Sequence, residues 1–327
     1  MGLSRRMAGF LLAAIMVSAM SFARAAEPEG TAVVDALRGD AVCTRCHDDK
    51  ENKPVLSIYQ TRHGVKADAR TPTCQSCHGP SEKHVKGQDS EEGRAATDIQ
   101  FGHGGVYPPS DPQVQAGACL TCHKSGARAH WAGSEHQSRD VVCSNCHKVH
   151  VRDDPVLNKV TQPTVCFACH KEQQAQIHRL STHPIAAGKM ACTDCHNPHG
   201  STASHLLLKR SVNETCYTCH AEKRGPFLWE HGPVVDDCTN CHTPHGSVNT
   251  PLLKQRTPWL CQDCHSGDHA NQINSGANLQ SGNVTTINGN APLANAAARA
   301  QMNARNCMNC HVLVHGSNHP AGSKFMR

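Results

Sequence analysis

The chain has 327 residues, 20 of them cysteine and 25 histidine, and a formal net charge of +5. Leu, Ile, Val and Phe together number 54, below the roughly 20% share at which side chains alone build a packed core. The modest net charge argues equally against a disordered chain, so something other than side chains must supply the missing apolar volume.

In chain order, residues 1–25 read as a secretory signal peptide. Arg5 and Arg6 precede an apolar run from Met7 to Met20, and Ala23-Arg24-Ala25 supplies a small-x-small cleavage site. The run is shorter than the roughly 20 residues that span a bilayer. Ser4-Arg5-Arg6 faintly resembles a twin-arginine signal, but export of an unfolded chain is the preferred expectation. No other stretch is apolar enough to span, so residues 26–327 are expected to form a soluble protein.

Every cysteine then falls in a C-x-x-C-H motif. The ten motifs hold Cys43 and Cys46, Cys74 and Cys77, Cys119 and Cys122, Cys143 and Cys146, Cys166 and Cys169. They continue through Cys192 and Cys195, Cys216 and Cys219, Cys238 and Cys241, Cys261 and Cys264, Cys307 and Cys310. This spacing is the signature of covalent c-type haem attachment. On one helical turn, residues i, i+3 and i+4 share a face. Two thiols can there bond one haem's vinyl groups, while the imidazole reaches the iron. A single copy could equally be half a zinc site, and exported cysteines often form disulfides. Neither alternative requires a histidine after all ten pairs.

The expected cofactor is therefore ten haem c, with His47, His78, His123, His147, His170, His196, His220, His242, His265 and His311 as proximal ligands. Signal removal takes away Arg5, Arg6 and Arg24 and leaves +2, and twenty propionates would carry the holoprotein toward −18. Lys and Arg are read as propionate partners and solvated surface, so nucleic acid is not an expected partner.

Each iron needs a second axial ligand, usually Met or His. Only Met190, Met302, Met308 and Met326 follow the signal, whereas fifteen histidines lie outside the motifs. Each gap between motifs holds at least one, and the tail holds two. The expected distal set is His63, His84, His136, His150, His183, His199, His231, His245, His269 and His315. Alternatives stay open at His103 for His84, His130 for His136, His178 for His183, His205 for His199 and His319 for His315. Which distal histidine serves which iron is not legible. Bis-histidine ligation places the potentials at the low end for c-type centres. It also leaves no open iron, so no catalytic residue is expected; no C-x-x-C-K motif of the kind found in multihaem nitrite reductases occurs.

Repeats are visible from residue 136. HQSRDVVCSNCHKVH, HPIAAGKMACTDCHNPHGS and HGPVVDDCTNCHTPHGS each carry an upstream histidine, a motif and a histidine three residues on, followed by a second motif. Paired units are placed near 63–123, 136–170, 183–220 and 231–265, with a first haem at 43–47 and a last at 307–311. Units this small cannot enclose their haems, so neighbouring haems must bury each other's faces, as repeats do in a solenoid. Gly79–Ala118 and Asn271–Asn290 read as surface loops, and Leu293–Asn306, after Pro292, reads as a helix.

The motif count, CQSCHGPSEKHV, SEHQSRDVVCSNCH, the CHxPHGS units and the closing CHVLVHGSNHP resemble the periplasmic decahaem cytochromes of the MtrA/DmsE type across nearly all of the mature chain. The resemblance implies a multihaem cytochrome c fold, an elongated arrangement of short helices and irregular loops around a stacked row of ten haems, with little β. It implies an electron carrier, not an enzyme, seated in an outer-membrane β-barrel porin. Periplasmic or inner-membrane c-type cytochromes would stand on one side and an extracellular multihaem cytochrome or reductase on the other. The 271–290 segment departs from the family pattern, which leaves the docking surface at that end open, as is the direction of electron flow. A periplasmic shuttle without a porin shares every haem feature.

Overall fold

In the computed structural model, residues 38–48, 55–65, 70–87, 89–90, 93–102, 106–265 and 307–326 are described. The signal, the 271–290 loop, the 293–306 helix, His103 and His269 lie outside them. Regular structure is sparse and short. The longest helix among the described residues with stated bounds, Pro112–Leu120, has nine residues, and the one sheet is a two-residue antiparallel pairing of Asp89–Ser90 with Gly93–Arg94. No helix of the described residues is long and apolar enough to cross a membrane.

The recurrent element is the motif turn. In nine motifs the histidine N–H donates to the carbonyl of the first cysteine at 2.8–3.0 Å, and the second motif forms the helix Cys74–His78. Each motif is thus one turn of helix, which puts both thiols and the imidazole on one side.

Consecutive turns are tied together by buried polar side chains. Asp40, three residues before Cys43, accepts from the Cys74 N–H at 2.9 Å and from the Tyr59 hydroxyl at 3.0 Å. Gln162, four before Cys166, accepts from the Thr193 N–H at 3.1 Å. Asn213, three before Cys216, accepts from the Cys238 N–H at 2.7 Å and donates to the carbonyls of Val234 and Val235. Gln115, four before Cys119, accepts from the Ser144 hydroxyl at 3.4 Å. A buried polar group is costly unless hydrogen-bonded, so each of these side chains fixes one motif against the next.

The region 79–118 departs from the expected loop. It holds a short helix, Glu82–Val85, the small hairpin, and the Pro112–Leu120 helix that leads into the third motif. Asp111 caps that helix by accepting from the Gln113 N–H, and Pro112 occupies its first turn, the arrangement favoured at helix starts. The general composition of the stretch masked this local signal.

The side-chain core is thin. Buried apolar residues are Ala116, Trp131, Val142, Phe167, Ile177, Ala191 and Leu207. Instead of a packed interior, the described residues surround one continuous cavity of about 5860 Å³, to which every motif contributes lining atoms. Ordinary ligand pockets hold roughly 300–1,000 Å³, so this space suits many large cofactors in sequence.

Candidate haem-binding site

Nine imidazole pairs stand across that cavity, and each joins one motif histidine to one histidine outside the motifs. His47 faces His84, His78 faces His150, His123 faces His63, and His147 faces His199. His170 faces His136, His196 faces His245, His220 faces His183, His242 faces His315, and His265 faces His231. Ring centroids lie 5.9–6.4 Å apart, while the angle between ring planes runs from 6° to 79°. Direct ring packing would bring stacked pairs closer than edge-on ones. A spacing that ignores ring angle is what a shared atom between two imidazoles imposes. Two metal–nitrogen bonds of about 2 Å on opposite sides of one ion leave centroids roughly 6 Å apart.

The nine non-motif rings are His63, His84, His136, His150, His183, His199, His231, His245 and His315. His130, His178, His205 and His319 are exposed and face no motif imidazole. His311 stands in the tenth motif, with its Nδ1 donating to the Lys324 carbonyl at 2.6 Å; His269 lies outside the described residues.

The imidazoles are held from behind. Nδ1–H donates to the carbonyl of Ile99 from His78, of Ala95 from His84, of Val55 from His150 and of His205 from His196. His242 donates to the Pro251 carbonyl. In the repeats, His136, His183 and His231 donate to the carbonyls of Pro198, Pro244 and Val314, each the residue before the next unit's outer histidine. A bonded Nδ1 fixes the tautomer and leaves Nε2 for a metal. Burial also pushes His78, His123, His199, His231, His242, His245 and His315 toward the neutral form, the state that coordinates a metal.

The glycine after each of three outer histidines has a positive φ and no room for a side chain. A Cβ on Gly200 would sit 2.0 Å from the His130 carbonyl oxygen, on Gly246 2.0 Å from that of Gln176, and on Gly316 2.2 Å from the Phe227 ring. This explains the repeated His-Gly-Ser: the turn presses its backbone against a neighbouring segment as it presents the imidazole.

Haem fits these residues. Among the described residues no group of three or more His, Cys, Asp or Glu is placed to hold a bare metal ion; each facing pair would offer a metal two imidazole nitrogens, and a porphyrin would supply the remaining ligands. Thiols flank each motif imidazole, as covalent attachment requires. Among the described residues, three buried donors have no acceptor, Arg128 Nε, Trp131 Nε1 and His199 Nδ1, and they suit an anionic group such as a propionate. The Trp131 and His199 rings are 6.4 Å apart.

Thiols of consecutive motifs are neighbours along the whole series. Cys43 lies beside Cys74, Cys119 beside Cys143, Cys166 beside Cys192, Cys216 beside Cys238, and Cys261 beside Cys307. Between these contacts, Cys77 lies within electrostatic reach of Cys119, Cys146 of Cys169, Cys195 of Cys216, and Cys241 of Cys264. Contact and burial push the Cys119 thiol up, and Cys119 in turn pulls Cys143 down to about 6. Every step from motif one to motif ten is therefore a step between spatial neighbours.

Comparison with known proteins agrees with this geometry. Residues 183–225 and 231–270 match the doubled CXXCH motif family, and residues 74–162 match the family of cytochrome c-type proteins like NrfB. Over 296 residues the chain is 44% identical to "Multiheme cytochrome MtrA" of Shewanella baltica (strain OS185), covering 89% of this chain and 82% of that protein.

Proposed function

Because the chain belongs to the MtrA family of multihaem c-type cytochromes, we propose that it is a ten-haem wire carrying electrons between periplasmic carriers and the cell exterior. Covalent haem c and electron transfer come with membership.

The proposed ligand sets pair each motif histidine with the ring that faces it: His47 with His84, His78 with His150, His123 with His63, His147 with His199 and His170 with His136. They continue as His196 with His245, His220 with His183, His242 with His315 and His265 with His231, while His311 takes His269. Bound haem supplies one-electron chemistry at iron. With haem bound, these paired imidazoles would hold each iron from both sides, which would deny it to substrate and supports a carrier instead of an enzyme. The observation that carries the reading is the unbroken neighbour order of the motifs. Short gaps between successive cofactors are what electron tunnelling needs.

The proposed location is the periplasm, in association with an outer-membrane β-barrel porin whose polar interior suits a polar rod. Extracellular and inner-membrane cytochromes are the proposed partners at the two ends. Co-purification with a barrel protein, and reduction of an acceptor sealed inside proteoliposomes that carry both, are the expected results. A chain found only in the soluble periplasmic fraction would reduce it to a shuttle. A pyridine haemochrome assay giving fewer than ten haems per chain would contradict the ligand sets.

A further inference from the structure

Of the axial imidazoles whose Nδ1 partner is described, nine reach backbone carbonyls. His147 differs: its Nδ1 lies 2.8 Å from Oδ2 of Asp154. That carboxylate is fixed from its other side. Its Oδ1 accepts from the N–H of Lys148 at 3.2 Å and of Val156 at 3.4 Å, and Asp154 caps the short helical turn Pro155–Leu157. Its side chain is only 13% exposed, so water screens it weakly. The nearest comparison is His220, whose Nδ1 lies 3.8 Å from a Glu222 carboxylate oxygen, beyond hydrogen-bonding distance, with both side chains more than half exposed.

We infer that Asp154 is a tuning residue that lowers the reduction potential of the haem held between His147 and His199. A carboxylate accepting the Nδ1–H draws that proton toward itself without removing it and raises the basicity of Nε2. A more basic axial ligand favours the ferric over the ferrous ion. The fixed negative charge acts in the same direction, because one-electron reduction removes a positive charge from the iron–porphyrin unit beside it. Second-sphere hydrogen bonding and burial are the levers by which a protein sets haem potential when the axial ligands are the same. On the opposite side, the buried Nδ1 of His199 has no acceptor among the described residues.

The inference rests on the ligand set proposed above, and its test separates the two. Asp154→Asn removes the charge and leaves one acceptor oxygen where Asp154 uses two, so it serves either the His147 Nδ1–H or the Lys148 and Val156 N–H groups; either way the anionic acceptor at Nδ1 is gone. Asp153→Asn, at a neighbouring exposed carboxylate, is the control. In a spectroelectrochemical titration of the whole holoprotein, one component carrying about a tenth of the absorbance change, one motif in ten, should respond to the charge at Asp154. It should move to a more positive potential in Asp154→Asn and stay in place in Asp153→Asn. Haem content and low-spin spectrum, measured on the same samples, should match the parent. A titration curve that superimposes on the parent, or an equal shift in the control, overturns the tuning role. A parent protein with water-ligated, high-spin haem would instead overturn the ligand set.

Discussion

His315 and His319 lie four residues apart on the same closing segment, yet only His315 faces a motif imidazole, that of His242 at 6.1 Å. His319 is exposed and uses its Nδ1 to accept from the Ala321 N–H. Replacing His315 with Ala should therefore convert about a tenth of the haem, one centre of ten, to a high-spin form visible by electron paramagnetic resonance. His319→Ala should leave the spectrum unchanged. Ring orientation makes a second prediction in the same spectrum. Near-parallel pairs such as His47 with His84 at 6° split the iron d orbitals strongly and give rhombic low-spin signals. The near-perpendicular pairs, His63 with His123 at 79° and His136 with His170 at 78°, leave those orbitals almost degenerate and give signals of large maximal g. Both populations should appear in the oxidised protein, and a single rhombic class would contradict these angles. Residue types and gaps were readable from the sequence, since every stretch between motifs offers a histidine. The pairing was not: His63 precedes the second motif but faces the imidazole of the third, a relation set by folding across space.

At the scale of the element, the motif turn was the most legible feature, because the C-x-x-C-H spacing is itself a helical period. The ties between turns were not legible. Asp40, Gln115, Gln162 and Asn213 are of different types at offsets of three or four, and nothing marks them as buried until the turns are brought together. Asn213→Ala should expose the difference: it strands the Val234 and Val235 carbonyls and the Cys238 N–H. Leaving buried polar groups unpaired costs about 1–3 kcal/mol, read as a thermal midpoint several degrees lower at unchanged haem content. Gly200→Ala should cost a similar amount, about 1–3 kcal/mol, because the new Cβ meets backbone at 2.0 Å and cannot be relieved by a side-chain rotation. The Pro112–Leu120 helix shows the reverse case. Asp111-Pro112 is a clear start signal, hidden because the stretch around it was read by composition.

For the molecule as a whole, the low content of large aliphatic residues and the 5860 Å³ cavity are one fact seen from two sides. Among the described residues, seven buried apolar side chains cannot offset the conformational entropy of ordering the segments that carry them, so cofactor is needed to complete the core. Chain produced without haem attachment should accordingly show a coil-like far-ultraviolet circular dichroism spectrum and rapid proteolysis. A folded apo-chain would mean that the side chains carry the fold unaided.

The facing imidazoles also bear on assembly in time. The ring opposite His78 belongs to His150, the one opposite His147 to His199, and the one opposite His242 to His315. A polypeptide threaded through a membrane from its N terminus would present those earlier motifs for ligation long before their counterparts emerge. On the proposed ligand sets, such irons would wait half-capped, open to solvent and to stray ligands, until a later segment arrives to close them. On the same sets, each of these three motifs would be completed only by a segment that follows it in the chain.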